Sequence, residues 1–209
     1  MNVIYHRDSS EATTVLASDP TLKPIFDKTA EIVIKLDSDL FLSLVSTIIY
    51  QQLSGTVAEK IYQRVKLSFD GEITVDKMIN ADPEQLRLQG LSYRKISYLQ
   101  SLANEVKEKN VDLEHIRDLS DKEVIEMLTR IKGIGQWSAE MFLLFSLGRK
   151  DVFSSRDLGL RKALGKLHGR PISMEEAEIL SDKWTPHKSI VSLFLWRYLE
   201  NQPKDEASR

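Results

Sequence analysis

The 209-residue chain contains no cysteine. Disulfides, thiolate nucleophiles, zinc ribbons and cysteine-ligated iron–sulfur clusters are therefore excluded. The same absence suits a reducing compartment. The start, MNVIYHRDSSEATTVLASDP, lacks a basic flank followed by an apolar core, so no signal peptide is expected. No apolar run is long enough to span a bilayer, and the longest, MFLLFSLG, reads as a core helix. No membrane partner is expected. The four histidines (His6, His115, His168, His187) show no metal-ligand spacing, and surface or capping roles suffice for them. Strand signals are thin. Only EIVIKL, residues 31–36, has β-branched alternation, which fits a short strand or an extended connection. There is no internal repeat and no low-complexity linker.

What is present is helical. Hydrophobic residues make up 42% and charged residues 29%, enough to bury a core and keep a hydrated surface. DLFLSLVSTIIYQQL places Leu40, Leu44, Val45, Ile48 and Ile49 on one helix face, and TVAEKIYQRVKLSF repeats the pattern with Val57, Ile61 and Val65. DPEQLRLQGL opens with Asp82 as N-cap, Pro83 as first helical residue and Gln85 at the capping-box position, and ends at Gly90. Ser92 caps a long amphipathic helix, and Ser120 with Glu123 and Ser173 with Glu176 cap two more. KSIVSLFLWRYLE is the last helix, and the polar tail NQPKDEASR is expected to fray. The expected fold class is all-α. It is one unit over 1–209 with two lobes, the middle one spanning 39–132 and the second built from 1–38 with 133–209.

The net charge of −2 argues weakly against nucleic acid, but its distribution argues the other way. Residues 129–170 hold nine Lys/Arg against three acids, so the segment carries +6 and the remainder −8. Such asymmetry suggests a basic face on an acidic body. Charge clustering on solvated helices gives the same numbers.

RIKGIGQWSAEMF, residues 130–142, sets Gly133 and Gly135 between two helices. Both glycines are expected to permit positive φ and to leave the backbone uncovered. The N–H groups of the turn and of the next helix start would then form an anion site for a phosphate, flanked by Arg130 and Lys132. An ordinary corner between helices is the competing reading.

The wider stretch LTRIKGIGQWSAEMFLLFSLGRKDVFSSRDLGLRKAL resembles the helix-hairpin-helix DNA glycosylases, and within them the DNA-3-methyladenine glycosylase II branch. That family carries a proline where Lys132 stands. LFLSLVSTIIYQQLSGTVAEKIYQRV is similar to the family segment bearing the loop inserted into DNA. LRLQGLSYRKISYLQSLA and LFLWRY match two further segments in order. The resemblance covers about residues 39–199. It implies a two-lobed helical bundle with a cleft between the lobes. It also implies double-stranded DNA with damaged bases as partner, a monomer, and action where the genome lies, in the bacterial cytoplasm or the eukaryotic nucleus. It implies a monovalent cation, Na+ or K+, on the carbonyls of Thr129, Ile131 and Ile134. It gives catalysis no cofactor.

KDVFSSRDLGLRKAL holds Asp151 and Asp157. Ser154 and Asp157 have capping-box spacing, which accounts for both as helix-start residues. The resemblance places Asp157 at the catalytic aspartate. A cationic alkylated purine leaves without a general acid. One carboxylate that stabilises the developing sugar cation and orients water is then sufficient. Where strand-cleaving relatives carry a nucleophilic lysine, this chain has Trp137, and an indole forms no Schiff base. Trp137 and Trp196 are candidates for the base pocket with Met141 and Leu158, where some family members carry tyrosines. Core packing is the competing reading for both tryptophans. Trp184 reads as structural. In QQLSG, the resemblance makes Gln52 the inserted side chain and Gln51 and Ser54 its neighbours, although polarity alone would leave the glutamines solvated. The expected product is therefore a glycosylase without lyase activity for 3-methyladenine and 7-methylguanine. A DNA-binding module without catalysis, a glycosylase for neutral lesions and a helical scaffold for a protein partner are the alternatives.

Overall fold

The computed structural model describes residues 1–201. Most of the polar tail, from residue 202, lies outside the described residues. In chain order the elements are β1 (Asn2–His6), α1 (Ser10–Ser18), α2 (Lys23–Asp27), β2 (Glu31–Lys35), α3 (Leu40–Tyr50), α4 (Gly55–Ser68), α5 (Val75–Ile79) and α6 (Pro83–Leu88). They continue with α7 (Tyr93–Lys107), α8 (Asp121–Leu128), α9 (Gln136–Phe145), α10 (Leu158–His168), α11 (Met174–Asp182) and α12 (Lys188–Glu200). Among the described residues no helix is long and apolar enough to cross a membrane.

The chain divides into two compact units. One is Asp37–Leu147, and the other joins Met1–Leu36 to the chain from Gly148 onward. The sequence reading closed the middle lobe at Lys132, but α9 belongs with it. Ala139, Phe142 and Leu143 of α9 are buried, and the helix packs on α8 and α3. Ser146 at its C-terminal end shares a 2.5 Å hydrogen bond with Ser43 of α3. Arg117 donates to the carbonyls of Ser146 and Leu147 at 3.3 and 3.2 Å, satisfying acceptors that a helix end leaves without internal partners.

In the middle unit, α3 is the central element. Leu44, Val45, Ile48 and Ile49 are fully buried, as their spacing predicts. α4 departs from its predicted stripe: it buries Ala58, Ile61 and Val65, while Val57 is 46% exposed. Ser92 caps α7 and accepts the Lys95 N–H, and Ser120 with Glu123 forms the predicted capping box on α8. The Asp82 cap of α6 takes the Glu84 N–H.

In the other unit, residues 31–35 form a strand, with a partner that the sequence reading missed. β1 pairs with β2 antiparallel, from Asn2↔Lys35 to His6↔Glu31. Ile32 and Ile34 turn inward and Val33 outward. α12 is the spine, buried from Ser189 to Leu195 and packed on α10, α2 and α1. Phe194 meets Phe26 with ring centroids 4.6 Å apart. Trp184 is structural, as expected: it is 1% exposed, sits edge-on to Phe153, and donates Nε1–H to Asp19 at 3.1 Å.

Candidate active site

The unit that contains α12 holds the carboxylate. Asp157 itself is the N-cap of α10, with extended backbone (φ −69°, ψ 118°), and its Oδ1 accepts the Leu160 N–H at 2.8 Å. This corrects the expectation that Ser154 caps the helix. The Ser154 carbonyl instead accepts the Asp157 N–H at 3.0 Å, and the buried Ser154 hydroxyl has no hydrogen-bond partner among the described residues. The same Asp157 Oδ1 also accepts Nε1–H of Trp196 at 3.0 Å. Two donors on one oxygen fix the plane of the carboxylate.

A stripe on α12 brings the carboxylate to this position. Ser189, Ser192 and Trp196 are three and four residues apart and share a helix face. The Ser189 hydroxyl donates to the Arg149 carbonyl at 2.6 Å and accepts the Val152 N–H at 3.0 Å. The Ser192 hydroxyl donates to the Val152 carbonyl at 2.8 Å. Trp196 then holds Asp157, so one face anchors the segment from 149 to 157. Asp151 is used differently: its Oδ1 accepts the Lys188 N–H at 3.2 Å at the start of α12. Gly159 completes the arrangement. A Cβ there would stand 3.0 Å from Asp157 Oδ1 and 3.3 Å from Trp196 Cδ1, so the missing side chain leaves room for that bond. Sequence reasoning passed over Ser189, Ser192 and Gly159. The available signal was two serines and a tryptophan at helical spacing in an otherwise apolar run. Leu158, the first residue of α10, is 55% exposed beside the carboxylate.

The middle unit holds the hairpin. α8 ends at Leu128, with Thr129 as C-cap, and α9 starts after Gly135. The two glycines do different work. Gly133 has φ +91°, and a Cβ would stand 2.2 Å from the Tyr98 ring. Gly135 is the N-cap of α9 with φ −95° and ψ 175°, an extended conformation open to any residue. Positive φ is therefore needed only at Gly133. At Gly135 the absent side chain matters for another reason: nothing lies within 4 Å of where a Cβ would be. Gly135 therefore brings no side chain over the first amides of α9, at the positive end of the helix. Arg130 and Lys132 are exposed beside them. Ile131 and Ile134 are buried, and the Ile131 carbonyl accepts the Ile134 N–H at 3.1 Å.

Trp137 is 43% exposed on the first turn of α9, which removes core packing as its explanation. Met141, one turn on, is half-buried. Gln51 is not the loose side chain that its polarity suggests. Its Nε2 donates to the Gly133 carbonyl at 2.6 Å, across 82 residues of sequence. Gln52 is exposed, has φ +58°, and its Oε1 lies 3.5 Å from Arg94 Nη2. Leu53 beside it is 37% exposed, and Ser54 is the exposed N-cap of α4. The base of this loop is held by the Tyr50 hydroxyl, which donates to Glu59. Burial, and then the Glu59 hydrogen bond, push the Tyr50 phenol up to about 12. Among the basic residues of this segment, Lys150 pairs with Glu11 at 3.2 Å and Arg170 with Glu176, each within its own unit. Among the described residues, one group brings metal-capable atoms close together: Asp112, Glu114 and His115. It is a surface turn whose Asp112 and His115 are bonded to each other at 2.8 Å.

The sequence model of the HhH-GPD superfamily of base excision DNA repair proteins matches residues 45–187. A DNA-3-methyladenine glycosylase of Saccharomyces cerevisiae is 34% identical over 213 residues, covering 93% of this chain and 71% of that protein. The crystal structure of a DNA-3-methyladenine glycosidase from Bacillus halodurans superposes with a TM-score of 0.89. It shares 34% identity and covers 95% of this chain and 93% of its own. The 3-methyladenine DNA glycosylase of Schizosaccharomyces pombe, solved in complex with abasic DNA, superposes with a TM-score of 0.79. There the identity is 28%, over 90% of this chain and 96% of the other.

Proposed function

The chain belongs to the HhH-GPD superfamily of base excision DNA repair proteins, and from that premise we infer that it is an alkylbase DNA glycosylase which hydrolyses the N-glycosidic bond of damaged purines in DNA. The observation that carries this reading is the Asp157 carboxylate, held by the Leu160 and Trp196 N–H groups on one oxygen. A base alkylated at a ring nitrogen is cationic and departs without being protonated. As its bond to the sugar lengthens, positive charge gathers on the sugar. A fixed carboxylate stabilises that charge without reorganising, and it orients and deprotonates the attacking water.

The base must leave the stack to reach such a group. We assign the phosphate grip to the first amides of α9, opened by Gly133 and Gly135 and flanked by Arg130 and Lys132. The gap left by the base falls to Gln52, with Gln51 and Ser54 shaping its loop. We assign recognition of the base to Trp196 and Leu158 in one unit and to Trp137 and Met141 in the other; an indole face attracts a cationic purine more than a neutral one. This favours 3-methyladenine and 7-methylguanine as substrates. With Trp137 where strand-cleaving relatives have a lysine, the product is an intact abasic strand. The protein works as a monomer wherever its genome is housed.

A monovalent cation fits the hairpin. The carbonyls of Thr129, Ile131 and Ile134 are neutral oxygens of the kind that hold Na+ or K+. Burial of the two isoleucines fixes their backbone, and the Ile131 oxygen, already accepting one N–H, has a second lone pair. Such an ion would brace the turn, and no chemical step depends on it. The deciding experiment is chromatography of free bases released over time from DNA treated with a methylating agent. Release by the intact chain, and release slowed about a hundredfold or more by Asp157→Asn, is expected. No release by the intact chain would refute the reading.

A further inference from the structure

Lys95 and Tyr98 stand three residues apart on α7, so their side chains lie on one face. Each reaches a different part of the machinery assigned to DNA. Lys95 Nζ donates to the Ile49 carbonyl at 2.6 Å and to the Gln51 carbonyl at 2.8 Å. These acceptors close the C-terminal end of α3, where a helix leaves carbonyls without internal partners and where a positive charge is favoured. The Gln51 carbonyl belongs to the peptide that leads into Gln52, the residue with φ +58°. Fixing that peptide fixes one side of a left-handed turn that a non-glycine residue seldom adopts. The Gln51 side chain then donates to the Gly133 carbonyl at 2.6 Å. Tyr98 fills the space where residue 133 would carry a Cβ.

The lysine is thus committed to protein carbonyls. Its ammonium is partly buried, and burial, with Arg94 adding to it, holds its pKa below the ordinary lysine value. A residue kept for long-range attraction to phosphate would gain nothing from that desolvation.

We propose that Lys95 is a positioning residue for base flipping: it holds the Gln51–Gln52 peptide so that the loop enters the base stack, and through Gln51 it keeps that loop in register with the glycine turn. The proposal rests on the function assigned above. It predicts that insertion of the loop fails when the ammonium is removed, although that ammonium is bonded to protein carbonyls.

The test uses the full chain and a duplex with a central tetrahydrofuran site flanked by 2-aminopurine. Fluorescence at saturating protein reports unstacking independently of affinity, and single-turnover release from methylated duplex reports the outcome for chemistry. Lys95→Met keeps the aliphatic stem and loses the donor. It is expected to give less than about half the wild-type fluorescence rise and release slowed about tenfold or more. Lys95→Arg, which still carries a cationic donor to the carbonyls, is expected to restore most of both. Gln51→Leu cuts the tie to Gly133 and is expected to move both readouts in the same direction. It decides the matter if Lys95→Met does not fold. A full fluorescence rise in Lys95→Met, or equal losses in the Met and Arg variants, would overturn the proposal. Failure of the wild-type chain to release any base would instead refute the assigned function, because the fluorescence measurement needs no chemistry.

Discussion

Trp196 and Leu160 donate to the same oxygen of Asp157, at 3.0 and 2.8 Å. Helix capping and catalysis are therefore not competing accounts of this aspartate. The cap supplies the rigidity that a carboxylate needs if it is to meet a developing cation without moving. Trp196 adds a second restraint from a helix nearly forty residues away. That polar role stands beside its assignment to the base pocket.

Asp157→Asn should separate charge from shape. An asparagine keeps an oxygen for both donors and is a favoured N-cap. Thermal unfolding and DNA affinity should stay close to wild type, while single-turnover release of 3-methyladenine or 7-methylguanine falls about a hundredfold or more. Near-normal release from folded variant protein would remove Asp157 from the mechanism. Asp151 would be a weak substitute, because it already caps α12.

Trp196→Phe keeps a ring and loses the N–H. Hydrogen bonds to charged groups contribute about 1.5–3 kcal/mol, so release should slow by about ten- to a hundredfold with DNA affinity little changed. Combined with Asp157→Asn, it should add little, since the two act through one contact. Additive losses would mean that the indole serves only the base. Gly159→Ala, which crowds both partners, should show a milder form of the same defect with an intact fold.

The hairpin glycines should respond in opposite ways. Gly133→Ala meets both an unfavourable φ and the Tyr98 ring, and should cost about 1–3 kcal/mol of stability. Gly135→Asp has open space and an N-cap position that aspartate favours, so stability should hold or rise. DNA binding should nevertheless collapse, because the new carboxylate occupies the anion site. Unchanged affinity in folded Gly135→Asp protein would rule out the phosphate grip.

The reaction product tests the Trp137 assignment. The abasic strand should remain whole until alkali is added, and borohydride should trap no covalent adduct. A trapped adduct would identify an amine acting as nucleophile.

Helices were legible in the sequence because their signals are local. The caps at Ser92 and Ser120, the α3 stripe and the extent of α12 need only neighbours within a turn or two. β1 was not legible, because its pairing partner lies beyond two intervening helices. Asp157 was identified by resemblance, but its cap was displaced by one turn, since Ser154 and Asp157 are both good capping residues. Gly133 and Gly135 look alike as letters. Tyr98 beneath one and open space beyond the other distinguish them. Lys95, Gln51, Ser189 and Ser192 all bond to backbone atoms distant in sequence, and a backbone carbonyl leaves no mark on residue identity.

The two points where the chain passes between units have a consequence for the order of synthesis. In the first unit, Leu36 lies against Gly148, whose Cβ would stand 2.9 Å from a Leu36 methyl carbon. In the middle unit, Ser146 lies 3.4 Å from Asp37. The middle unit is thus one uninterrupted stretch with its two ends tied, and it can close as soon as residue 147 has left the ribosome. The other unit cannot: α1 and α2 are made first and must wait for α12, their packing partner, until the insertion is complete. The glycine turn assigned to phosphate is therefore translated before Asp157, and if both assignments hold, the half-made protein passes through a stage that has the first and lacks the second.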